Sequence, residues 1–152
     1  MNNDMKNGNF LFVVLVFAFM AIACGGGGSS DGDDDTGDDG GLEPTLSSIQ
    51  ENIFTPTCAR SGCHSAGSAS GGLSLADGDS FGELVGTASS EAPTLNRVEA
   101  GDPDNSYLLN KLRGTAGDVG GTDTQMPLGE AALSDEEIEA IEEWITNGAE
   151  NN

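Results

Sequence analysis

Cys58-Ala59-Arg60-Ser61-Gly62-Cys63-His64 brings two thiols and an imidazole into one short stretch of chain. The spacing is C-x4-C-H, a longer form of the C-x2-C-H arrangement that attaches haem. Each thiol can add across one haem vinyl group, so two thioethers would pin the porphyrin at two corners. The residue directly after the second cysteine is then carried under the iron, where an imidazole can bind as proximal ligand. The same three side chains have two other chemistries. Cys58 and Cys63 could form a structural disulfide in an oxidising compartment. With His64 they could also form an incomplete zinc site of three ligands.

An iron that only carries electrons needs a sixth ligand. Beyond residue 23 the chain has one histidine, His64, and one methionine, Met126. With His64 on one side of an iron, Met126 is the only thioether left for the other. Soft sulfur suits reduced iron, and His/Met ligation raises the potential. Pro127 biases Met126 away from helical geometry and towards an extended backbone, as a loop presenting a side chain would need.

The elements that must position these residues read as helices and loops, with no alternating strand pattern. Leu46, Ile49, Ile53 and Phe54 give a first helix over 45–54, after which Pro56 turns the chain into the cysteine motif. A short helical stretch fits 80–85. Gly101-Asp102-Pro103-Asp104-Asn105 is a turn, followed by a helix that Ser106 can cap. Leu108, Leu109 and Leu112 form its apolar face, Lys111 and Arg113 suit its C-terminus, and Gly114 ends it. The last helix is the best signed. Ser134 with Glu137 makes a capping box, and Leu133 with Ile138 a hydrophobic staple. Ile138, Ile141, Trp144 and Ile145 form its buried stripe. The fold class is therefore all-α.

Twenty-six acidic residues against five basic ones give a formal charge of -21. Such a chain repels phosphate backbones, which excludes nucleic acid as an electrostatic partner. Past residue 23 the aromatics are only Phe54, Phe81, Tyr107 and Trp144. That is a thin supply for a core, and small domains of this kind are usually completed by a disulfide, a metal or a cofactor.

The N-terminal part reads as export and tethering. Lys6 precedes an unbroken apolar run from Phe10 to Ala23, too short to span a bilayer comfortably and suited to a signal-peptide core. It ends Ala21-Ile22-Ala23-Cys24-Gly25, which resembles a bacterial lipobox with Cys24 as the lipidated mature N-terminus. Ala21-Ile22-Ala23 is also an ordinary A-x-A cleavage site. Gly25 to Gly41 contains only Gly, Asp, Ser and Thr, so it is expected to be a disordered acidic linker. Asp31 to Asp35 does not complete a calcium loop, because Thr36 stands where glycine is needed and no glutamate closes it. The domain boundaries are thus 1–23 for the signal, 24–41 for the lipidated cysteine and linker, and 42–152 for the helical domain. Gly25 is not the Asp that retains lipoproteins at an inner membrane. In a Gram-negative cell the expected location is the outer membrane, on its periplasmic face or the cell surface.

From residue 46 to 149 the chain resembles small monohaem c-type cytochromes of class I, especially bacterial cytochrome c domains called planctomycete-type. The matching runs are Ile53-Phe54, Cys58 to His64, Gly72-Leu73-Ser74-Leu75, Val98 with Gly101-Asp102-Pro103-Asp104, Ser106-Tyr107-Leu108, Met126-Pro127, and Trp144-Ile145 with Gly148-Ala149. The four-residue spacer departs from the commonest pattern. The resemblance implies a helical domain wrapped around one haem, with N- and C-terminal helices crossing beside its edge. It implies one covalent haem c on Cys58 and Cys63, with His64 proximal and Met126 distal. The function it implies is electron transfer by a monomer between exported redox proteins, anchored to the membrane by the lipid. A Met126-ligated iron has no open site for peroxidase chemistry, so no enzyme is expected. The alternative is a haem-free, disulfide-stapled surface module that binds a partner.

Overall fold

The first helix and the last of the described residues lie against each other. The computed structural model describes residues 41–152. The segment 1–23 expected as a signal, Cys24 expected to be lipidated and the aspartates Asp31 to Asp35 lie outside the described residues. Helix α1 (Leu46–Ile49) runs on directly into π-helical turns over Gln50–Cys58. Helix α2 is Ser80–Leu84, α3 is Tyr107–Arg113 and α4 is Asp135–Thr146. Three short 3-10 turns, Ser70–Gly72, Pro103–Asn105 and Ala116–Val119, punctuate the loops. Among the described residues there is no strand, only isolated bridges such as Val85 to Val98. The described residues are all-α, as the periodicity predicts, and none of their helices is long and apolar enough to cross a membrane.

The first helix extends further than its apolar stripe suggests. Pro56 does not turn the chain out of it; the helix carries through Pro56 to Cys58. In a regular α-helix a proline ring crowds the carbonyl four residues back and supplies no N–H. The wider π turn, bonded from i to i−5, carries the chain past that obstacle. Its last such bond runs from the Ala59 N–H to the Phe54 carbonyl at 2.7 Å. The N-terminus of α1 is closed by Thr45, whose hydroxyl accepts from the Ser48 N–H at 3.3 Å. Asn152 also accepts there, its side chain from the Leu46 N–H and its carbonyl from the Ser47 N–H, both at 2.9 Å.

Helix α4 has its expected capping box, with the Ser134 hydroxyl accepting from the Glu137 N–H and the Glu137 carboxylate from the Ser134 N–H. Its inner face buries Ile141, Trp144 and Ile145, which join Ile49, Ile53 and Phe54 of the first helix and Leu84, Val98 and Leu109 in one core. The Trp144 indole N–H donates to the Glu150 carbonyl at 2.9 Å, so the polar edge of the largest core residue is satisfied. Ser106 departs from its expected role. It stands at the N-cap of α3, but its hydroxyl turns back, donating to the Asp102 carbonyl and accepting from the Glu99 N–H, both at 2.9 Å. The turn before α3 competes for that hydroxyl and wins. Arg113 reaches from α3 to Glu142 of α4 at 2.6 Å, while Lys111 turns inward.

Candidate functional site

Cys58 arrives at the last π-helical position of the first helix. The chain then folds into a tight loop held by its own backbone. The Cys63 N–H donates to the Arg60 carbonyl at 2.9 Å, and the His64 N–H returns to the Cys58 carbonyl at 3.1 Å. Gly62 sits at φ +84°, left-handed backbone that an L side chain rarely adopts, so the bend between the cysteines depends on glycine. The Ser68 hydroxyl accepts from the Gly62 N–H at 3.2 Å, which fastens the loop from outside.

His64 is fixed at both its backbone and its ring. Its carbonyl accepts from the Leu75 N–H at 2.7 Å. Its Nδ1 lies 3.1 Å from the Leu73 carbonyl oxygen. A carbonyl can only accept, so Nδ1 is the donor and carries the proton. In the neutral ring the lone pair is therefore left on Nε2, the arrangement a metal-binding imidazole requires. The segment that sets this tautomer is itself anchored by Gln50. The Gln50 side chain donates to the Leu75 carbonyl at 3.0 Å and accepts from the Ser80 hydroxyl at 2.6 Å.

Met126 is positioned by the end of α3. A helix leaves its last carbonyls without partners, and here the loop supplies them. The Met126 N–H donates to the Lys111 carbonyl at 2.9 Å, and the Gln125 side chain donates to the Leu112 carbonyl at 2.8 Å. The Met126–Pro127 peptide bond is cis. The half-buried Met126 side chain packs against the main core.

These local devices converge. Cys58, Cys63, His64 and Met126 all line one hollow of about 520 Å³, its open mouth included. Cys58, His64 and Met126 also line an adjoining cleft of about 710 Å³, its open mouth included. Leu73, Leu75, Leu84, Leu108 and Leu112 form the apolar lining of that cleft. Both thiols are free. Burial first, then the neighbouring Cys63 and the carboxylates of Glu137 and Glu130, push the Cys58 thiol up to about 11. Burial thus disfavours the Cys58 thiolate in the chain on its own. Among the described residues, no three His, Cys, Asp or Glu side chains form a group that could hold a metal ion. A flat apolar cofactor anchored by two thioethers, with one imidazole and one methionine sulfur for its metal, fits the residues present.

The far end of the cleft is polar and was not legible as a site. Arg97 donates to the Gly72 carbonyl at 2.8 Å and to Glu83 at 2.9 Å, tying the loop after the motif to α2. Glu91 accepts from the Tyr107 hydroxyl at 2.5 Å, from the Thr122 hydroxyl at 2.9 Å and from Lys111 at 3.2 Å. The Tyr107 hydrogen bond, with smaller help from Thr122 and Lys111 and against the effect of burial, holds the Glu91 carboxyl down to about 2. Gly121 packs so closely on Tyr107 that any Cβ there would collide with the phenol. Gln50 did leave a trace in the sequence, as a polar residue in register with the apolar stripe of Leu46, Ile49, Ile53 and Phe54. Arg97 and Glu91 left none, because their partners come from distant loops.

Comparison of the chain with protein-family models, with curated proteins and with solved structures gives no match, so the reading of this site rests on its own residues.

Proposed function

We propose that this chain is a lipid-anchored, monohaem c-type cytochrome that carries electrons between exported redox proteins. The observation that supports it is that Met126, far along the chain from the cysteine motif, reaches the hollow lined by Cys58, Cys63 and His64. In this reading Cys58 and Cys63 bind the haem covalently, His64 is its proximal ligand through Nε2, and Met126 is its distal ligand. A haem held there supplies one-electron chemistry between Fe(III) and Fe(II). The protein's own part is to hold the ligands still and keep water away. The Leu73 carbonyl fixes the His64 ring. The end of α3 fixes the backbone of Met126. The leucine walls form an apolar surround, which tunes potential by limiting solvent access.

Residues 1–23 are read as the export signal, and the lipidated Cys24 with the Gly/Asp linker as the tether that keeps this domain at the membrane. A sulfur ligand that closes the sixth site leaves no place for peroxide, so the protein is read as a carrier and not an enzyme.

The test is a redox titration of the matured protein beside Met126→Ala. The wild type should titrate as one reversible one-electron centre that does not bind carbon monoxide. The variant should have a lower potential and an iron open to carbon monoxide. An unchanged potential in the variant would remove Met126 from the ligand set.

A further inference from the structure

The loop that carries Met126 is firmly held at its two ends. Before Met126 it hangs from the end of α3, through the Lys111 and Leu112 carbonyls. Beyond it, Leu133 is buried in the core and Ser134 caps α4. In between, among the described residues, no backbone hydrogen bond ties 127–132 to another segment. One side chain of that stretch does reach out: Glu130 forms an ion pair with Arg60. Arg60 belongs to the spacer between the two motif cysteines. That spacer makes its own turn, in which the Cys63 N–H donates to the Arg60 carbonyl at 2.9 Å. From this turn the Arg60 guanidinium donates to Glu130, 70 positions along the chain. Pro127, Leu128 and Glu130 line the hollow together with Cys58, Cys63, His64 and Met126. The ion pair therefore ties the cysteine loop to the methionine loop beside the hollow that both loops line.

We infer that Arg60 and Glu130 are positioning residues for the Met126 sulfur: their ion pair is a clasp that keeps the methionine loop closed on the hollow. This rests on the cytochrome reading above, and it gives the longer spacer between Cys58 and Cys63 a task of its own. The two side chains are 51% and 44% exposed. An ion pair in such a setting shifts an equilibrium by no more than a few-fold, and salt screens it. Here the equilibrium it acts on is local. The stretch from Pro127 to Ala132 has no backbone tie to the rest of the domain, so weakening the clasp loosens that stretch before it loosens the core. The consequence falls on Met126, which stands next to the stretch. A looser loop leaves the sulfur away from its ligand position for a larger share of the time, and a competing ligand then gains the sixth position more readily. A surface pair that only added stability would leave that competition unchanged.

The experiment uses the full chain, matured and purified in mild detergent. Imidazole is titrated into the ferric protein at about pH 8, where the probe is largely uncharged. It competes with Met126 for the iron, and the change in the haem spectrum gives its dissociation constant. At low salt Arg60→Glu and Glu130→Arg should each tighten imidazole about two- to fivefold, the scale of an exposed ion pair. The exchanged pair, Arg60→Glu with Glu130→Arg, should return to the wild-type value. Raising salt should narrow the gap between the wild type and each single variant. Because both side chains are about half exposed, these substitutions should not disturb folding. Single variants that bind imidazole like the wild type, or an exchanged pair no better than the singles, would overturn the clasp while leaving the carrier reading intact. If the wild type holds no haem, the carrier reading fails instead. The clasp is then decided on the haem-free chain by amide nitrogen relaxation in NMR. Order parameters of Leu128 to Ala132 that fall in each single variant and recover in the exchanged pair support it, and order parameters that stay unchanged overturn it.

Discussion

Cys58 and Cys63 are chemically unequal although they share one short loop. Burial and nearby negative charge hold the Cys58 thiol up to about 11, whereas Cys63 is exposed. In the haem-free chain, iodoacetamide at about pH 8 should therefore alkylate Cys63 well before Cys58, since only the thiolate reacts. Peptide mass spectrometry after timed quenching checks this, and equal labelling would contradict the assigned environment. Glu91 carries the opposite shift, from 4.5 down to about 2. A carboxyl lowered on folding stabilises the fold above its unfolded value and loses that contribution as pH falls through its folded value. The stability advantage of the wild type over Glu91→Gln should thus be full near neutral pH and shrink between pH 4.5 and about 2. Urea unfolding across that range measures it; a gap independent of pH would remove Glu91 as the titrating group. The motif residues were legible because two thiols and an imidazole at fixed short spacing stand out in the sequence alone. Glu91 was not, because its role is created by Tyr107, Lys111 and Thr122, which sit on other segments.

The helices separate into those with strong local signals and those shaped by tertiary context. Helix α4 carries its own cap, its own charge pattern and a full apolar stripe, and it forms where the sequence places it. The first helix was legible at its start but not at its end. Its apolar spacing marks the core face, yet nothing local announces that π turns will carry it past Pro56 to Cys58. The Ser106 hydroxyl was read as a helix cap, and the Asp102 turn holds it instead. Gln50 shows how an element supports the site from behind. It joins the first helix to the Leu73–Leu75 segment that fixes His64, and to α2 through Ser80. Gln50→Leu leaves the Leu75 carbonyl and the Ser80 hydroxyl without this partner. It should cost about 1–3 kcal/mol in urea unfolding and broaden the His64 ring signals in NMR. Full retention of stability would mean that the Leu75 segment is held by other contacts.

Across the described residues, the first and last helices, with Leu84, Val98, Leu109 and Leu112 from between them, make one core, and a leucine-lined cleft opens beside it. The sequence shows both the shortage of apolar residues and the residues able to recruit a cofactor. Met126 was expected beside the motif as the one methionine past residue 23, but how the loop after α3 brings it there was not legible, because that depends on Lys111 and Leu112 offering carbonyls to the loop. The central claim is covalent haem on Cys58 and Cys63. Its most direct test is the intact mass of the denatured full chain, produced in a bacterium that exports and matures c-type haem, beside Cys58→Ala/Cys63→Ala. The account predicts a wild-type mass higher by one haem, beyond the change due to the substitutions, and no such addition in the variant. A folded wild-type chain without that mass, lighter than its reduced form by the two hydrogens of a Cys58–Cys63 disulfide, would contradict it.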